Sequence, residues 1–247
     1  MPDSDDLLIG PTPEPPSETR HTFAEHLEEI RADVIKIAGL TSEAIGACTQ
    51  ALLDADLMAV DRIIAEDSTI DGLKESLEFR VYEMFATQQP MAGDLRTLLA
   101  VLRILQEIQL TADLTVTISK ATRRLYPGQL PPKIRGLIER MGAQASIQLN
   151  LAVDAFADLE VAIASALPDM DDVMDDLQKE LFRAIFELST GDEAEINEAD
   201  IQRAVQLALI GRYYERIADH AVLIGAWTRF MVTGEFPSRA EQSDSGT

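Results

Sequence analysis

No stretch of this chain alternates apolar and polar residues with the period of two that marks a half-buried strand. Apolar residues recur instead at helical spacing, as in Ile63 and Ile70, or Leu105, Ile108 and Val116. Proline punctuates this pattern. Five of the 11 prolines lie in the first 16 residues, and the others are Pro90, Pro127, Pro131, Pro132, Pro168 and Pro237. Between them run Pro-free stretches rich in Ala, Leu, Ile and Glu, which form helices well. The pattern predicts six helices, over roughly 21–53, 56–88, 91–125, 133–166, 169–190 and 197–233. The expected fold class is all-α. Residues 1–20 and 237–247, polar and Pro- or Ser-rich, read as disordered tails.

The strongest breaker, Tyr126-Pro127-Gly128-Gln129-Leu130-Pro131-Pro132, falls near the midpoint and invites a search for a repeat. An offset of 104 lays Ala51–Asp56 on Ala155–Glu160, and Asp67, Asp71 and Leu73 on Asp171, Asp175 and Leu177. Two residues are then gained, and an offset of 106 lays Asp94 on Asp200, Asp113 on Asp219 and Ile118 on Ile224. The expected organisation is two tandem pseudo-symmetric three-helix bundles, 21–126 and 133–236.

Charge narrows the function. Lys plus Arg number 21 and Asp plus Glu 43, a net charge of −22. Such a chain is repelled by phosphate backbones and anionic lipid, so no nucleic-acid partner is expected. A single cysteine, Cys48, excludes a disulfide framework and Cys-rich zinc sites. No apolar run reaches the length of a membrane span, and the N-terminus has no signal-peptide pattern, so a cytoplasmic location without membrane insertion is expected.

The candidate chemistry lies in carboxylate pairs at i,i+4 spacing, which puts both groups on one helical face. They are Asp67/Asp71, Asp171/Asp175 with Asp172/Asp176 beside it, Glu215/Asp219, and the incomplete Gln109/Asp113. Asp67 and Asp113 are level with apolar stripes, where an unpaired carboxylate is costly. A hard cation held by oxygens would remove that cost. The alternative is a solvated acidic face with ion pairs from Arg212 and Arg216, each three residues before an acid. The histidines do not supply a di-iron pattern, and His220 reads as a helix-surface or packing residue, with assistance to a metal beside Asp219 as the alternative. Cys48 reads as a core residue, and no nucleotide, protease or hydrolase motif is present.

Two segments then resemble a known family. Tyr214-Glu215-Arg216-Ile217-Ala218-Asp219-His220-Ala221 is similar to the ERIxDHA signature of the PhoU family, and Gln89-Pro90-Met91-Ala92-Gly93-Asp94-Leu95-Arg96 to its QxPxAxDLR segment. The ending Phe230-Met231-Val232-Thr233-Gly234-Glu235 resembles actinobacterial PhoY-type members. The resemblance implies a PhoU-like six-helix fold in a cytoplasmic regulator, associated peripherally with a membrane transporter. It implies a homodimer that binds PstB, the ATPase of the PstSCAB phosphate transporter, and a PhoR-type sensor kinase. Such a protein represses the phosphate-starvation response when phosphate is plentiful, without catalysis.

The family's metal motifs fall on Asp171, Asp175, Glu215 and Asp219, and on Asp67, Asp71 and Asp113, with Fe, Mn, Zn or Mg as the metal. In the first half Gln109 stands where the family has glutamate, so that set carries one anion fewer. Two other readings stay open: a metal-dependent helical-bundle enzyme and a metal-free helical scaffold.

Overall fold

A computed structural model of the chain describes residues 17–88, 90–190 and 197–237, with the side chains of 17–22 and of 189 and 190 left aside. Six helices run in order: α1 (Ser17–Asp54), α2 (Leu57–Gln88), α3 (Ala92–Leu125), α4 (Pro132–Asp158), α5 (Val161–Thr190) and α6 (Glu198–Thr233). No strand occurs among the described residues. Helix α1 opens at Ser17, four residues before the expected start; the tails expected at 1–20 and 237–247 otherwise lie almost wholly outside the described residues.

Capping chemistry explains several boundaries. Asp56 accepts the backbone N–H groups of Met58 and Ala59 at 2.9 and 3.0 Å and opens α2. Asn197 accepts from the Asp200 N–H at 3.0 Å and opens α6, which Gly234 closes at φ 82°.

One expectation is wrong. The fourth helix ends at Asp158, not at 166, and the fifth starts at Val161, not at 169. Pro168 lies inside α5. It is exposed, and it forgoes only the N–H that would reach the Ala164 carbonyl. The true break is at Leu159, left-handed at φ 57°, with the Glu160 N–H bonded to the Ala155 carbonyl at 2.9 Å. The repeat-equivalent Ala55 does the same at φ 53°, with Asp56 bonded to Ala51 at 3.0 Å. A left-handed residue stops a helix more firmly than a solvent-facing proline does here.

Within each half the three helices pack against one another, and α1 against α4 and α3 against α6 join the halves. One apolar cluster therefore runs from Ile30 to Met231. The seam is reciprocal: Arg31 of α1 donates to the Ala157 carbonyl at 2.5 Å, closing α4, and Arg135 of α4 donates to the Leu53 carbonyl, closing α1. These arginines are 104 residues apart, the offset of the repeat. At the centre, Gly142 of α4 admits Thr49 of α1: an added Cβ would stand 2.3 Å from its Oγ1. The Thr49 and Tyr214 hydroxyls bond at 2.8 Å, both buried. Beside them, burial pushes the Cys48 thiol up to about 12.

Candidate functional site

Adjacent helices α2 and α3 carry the first carboxylate set, and α5 and α6 the second. In the first, Gln109 of α3 donates from Nε2 to Asp71 Oδ1 of α2, and a longer contact of 3.4 Å reaches Asp113 Oδ1. Asp67 Oδ1 and Gln109 Oε1 are buried with no hydrogen-bond partner. Burial raises the Asp67 carboxyl above its ordinary range, and the charges of Asp71 and Asp113 raise it further, against Lys120. The structure thus brings Asp67, Asp71, Gln109 and Asp113 together. A cavity of about 270 Å3 opens beside Asp67, floored by Leu40, Ala44, Ile63 and Ile70. Where the repeat places an alanine there, Ala44, the second half has the fully buried Gln148.

The second set is more strongly coupled. The Asp219 carboxyl is pushed up to about 8, first by burial, then by the charges of Glu215, Asp171 and Asp175, with Arg212 opposing. Burial likewise raises Glu215, with Arg212 opposing and Asp175 and Asp171 adding to the rise. Glu215 Oε2 and Asp219 Oδ2 are buried without a hydrogen-bond partner. All four residues, Asp171, Asp175, Glu215 and Asp219, therefore share one electrostatic site across α5 and α6. Asp172 and Asp176 face outward, and Asp176 pairs with Lys179 at 3.1 Å.

Both readings of these acids find support. Arg212 does pair with Glu215. Arg216 forms no ion pair with Asp219 among the described residues. Stranded carboxylate oxygens in mutual repulsion fit a hard cation in chemistry. In geometry, no three His, Cys, Asp or Glu side chains among the described residues are gathered as a ligand group. Holding a metal requires side-chain rotation that gathers these carboxylates, with Arg212 occupying Oε1 of Glu215 and its Oε2 left for a cation.

Sequence reasoning missed two carriers of the α3–α6 seam. His220 does turn inward, as a packing residue would, but its Nδ1 lies 2.7 Å from Oε2 of Glu107, a carboxylate given no role in the sequence reading. Arg103 stacks over Trp227 at 5.5 Å from the ring centroid. The one signal for Glu107 was its place between the apolar neighbours Leu105 and Ile108.

The family model described as the PhoU domain matches the chain twice, over residues 34–122 and 138–228. The chain is 32% identical over 225 residues to a Mycobacterium tuberculosis protein named phosphate-specific transport system accessory protein PhoU homolog 1, covering 91% of this chain and 99% of that relative. It is 31% identical to the PhoU homolog 2 of the same organism, covering 88% and 100%. In fold it is similar to the crystal structure of PhoU from Pseudomonas aeruginosa, with TM-score 0.79, 22% identity and coverage of 86% and 100%. The phosphate transport system regulatory protein PhoU from Streptococcus pneumoniae gives TM-score 0.78 at 22% identity, covering 87% and 99%.

Proposed function

The chain belongs to the PhoU family, and on that premise we propose that it is a cytoplasmic regulator of phosphate uptake that works by binding, without turnover. The observation that carries the reading is the PhoU domain found in both halves, over 34–122 and 138–228. In this proposal the chain docks as a homodimer on the PstB ATPase of a PstSCAB-type transporter and on a PhoR-type sensor kinase. Docking acts on those partners only through a difference in affinity for their states. The outcome is repression of the starvation response when phosphate is plentiful. No described helix is long and apolar enough to cross a membrane, which suits peripheral association.

A divalent or iron-type metal ion, Fe, Mn, Zn or Mg, belongs to the same proposal. Asp171, Asp175, Glu215 and Asp219 would hold it more tightly than Asp67, Asp71 and Asp113, because charge count governs hard-cation affinity. Bound there, it supplies positive charge that relieves carboxylate repulsion and ties α5 to α6. The residues themselves supply the oxygens, and Arg212 competes for Glu215.

Deleting every PhoU-family gene of the host tests the reading. Phosphate-uptake genes should then be expressed in high phosphate, and restoring this chain alone should silence them. Unchanged expression in the deletion strain contradicts it.

A further inference from the structure

The linker between the halves meets the first turns of α6 in a corner pocket of about 450 Å3. Its walls are of two kinds. Tyr126, Ile201 and Val205 present apolar surface, each close to half exposed. Arg124 and Arg203 present guanidinium groups. No carboxylate among the described residues lines the pocket, in a chain with 43 acidic residues. Neither arginine has an ion pair among the described residues. Of the nearest acids on α6, Glu198 accepts from Gln202 at 3.3 Å, and Asp200, whose backbone N–H bonds Asn197 Oδ1 at 3.0 Å, forms no ion pair with Arg203 among the described residues.

Both arginines are placed. Arg124 donates to Gln206 Oε1 at 3.3 Å. Arg203 brings its Nη2 end against Gly128 of the linker, where an added Cβ would stand 2.3 Å from Nη2 and 3.0 Å from the Leu125 carbonyl.

The repeat shows what such a corner can accept. Gly234, which stands 106 residues after Gly128, is covered in the same way by Arg96, 3.1 Å from its added Cβ. At that end the chain supplies its own aromatic ring: Phe236 packs edge-on against Trp227 and Phe230, with centroids 5.4 and 5.1 Å away. At the linker end no described side chain takes that part, and Tyr126 remains 52% exposed.

We propose that the linker corner binds a small organic phosphate, its phosphate on Arg124 and Arg203 and its apolar or aromatic body on Tyr126, Ile201 and Val205. Guanidinium groups match phosphate geometry, and an open tyrosine face accepts a planar ring. The volume lies within the range of small-molecule sites. A mononucleotide has this chemistry. The proposal stands apart from the regulatory reading and from the carboxylate sets.

Calorimetric titration of the full chain with AMP, ATP and inorganic phosphate, in EDTA at fixed ionic strength, tests it. AMP or ATP should bind with Kd below about 1 mM. Arg203→Gln should weaken that binding at least about tenfold, at an unchanged melting temperature. Gly128→Ala keeps every charge but displaces Arg203, and should weaken it as well. Tyr126→Ala should weaken the nucleotides and leave inorganic phosphate unaffected. No nucleotide binding by the parent overturns the proposal, as does equal binding by Arg203→Gln. Inorganic phosphate binding as tightly as AMP overturns the role given to the apolar wall.

Discussion

Asp219 is the residue where burial and repulsion conflict most. Its carboxyl is pushed up to about 8, against about 3.9 in an unfolded chain. Between those values the folded state holds a proton that the unfolded state has lost. Its contribution to stability is thus full below about pH 4 and disappears as pH rises through about 8. In EDTA, the stability of the parent relative to Asp219→Asn should fall from pH 5 to pH 8.5, read by urea denaturation. Identical pH profiles would show that Asp219 is solvated as in a free peptide. Added Mn2+ should reverse the parent's loss, since a ligand of the folded state stabilises it. Metal affinity should drop more in Asp219→Asn than in Asp113→Asn, because Gln109 already weakens the first set. Equal drops would remove the asymmetry. Cys48 offers an independent check on burial. With its thiol pushed up to about 12, native protein at pH 8 should react with a disulfide reagent about a thousandfold more slowly than unfolded protein. Complete reaction within minutes would mean that the α1–α4 seam opens readily.

At the scale of elements, the hydrophobic pattern and the prolines placed ten of the twelve helix ends within four residues. The two exceptions, the end of α4 and the start of α5, lie where Pro168 suggests a break that the repeat places at Leu159. Asp54-Ala55-Asp56 over Asp158-Leu159-Glu160 already aligned the two stops, but Leu159 has no side-chain signature of a left-handed cap. Glycine adopts that conformation without steric cost. Leu159→Gly should therefore stabilise the protein by about 0.5–1 kcal/mol in urea denaturation. A loss of stability would mean that the Leu159 side chain contributes more by packing than its backbone costs. Gly142→Ala should do the opposite, because its Cβ would displace Thr49 from Tyr214. We expect a cost of about 1–3 kcal/mol. A neutral result would place the two backbones farther apart than described. The carboxylate pairs were legible for a related reason: i,i+4 spacing fixes them on one face whatever packs there. Arg212 on Glu215 was equally local. Gln109 reaching Asp71 depends on two helices meeting, and composition does not encode that meeting.

For the whole molecule, duplication was readable in the offsets of 104 and 106, and the seam between the copies was not. His220 and Glu107 are 113 residues apart, and Thr49 and Tyr214 are 165 apart. Neither pair lies on repeat-equivalent positions, so the alignment cannot point to them. These contacts join the two halves around one apolar cluster. Cutting the chain in the Tyr126–Pro132 linker should leave each fragment exposing its α1–α4 and α3–α6 faces. Separate fragments should then aggregate or lose cooperative melting, while the two expressed together should recover it; two independently stable halves would contradict the shared core. The central claim is that this molecule regulates by docking on phosphate-transport partners. Its most direct test is affinity capture of the tagged full chain from phosphate-replete cells of its host, with mass spectrometry of what it holds. The account predicts enrichment of the phosphate transporter's ATPase and a PhoR-type kinase over an unrelated acidic helical protein. Capture that is free of every phosphate-transporter subunit, from cells that express the transporter, would contradict it.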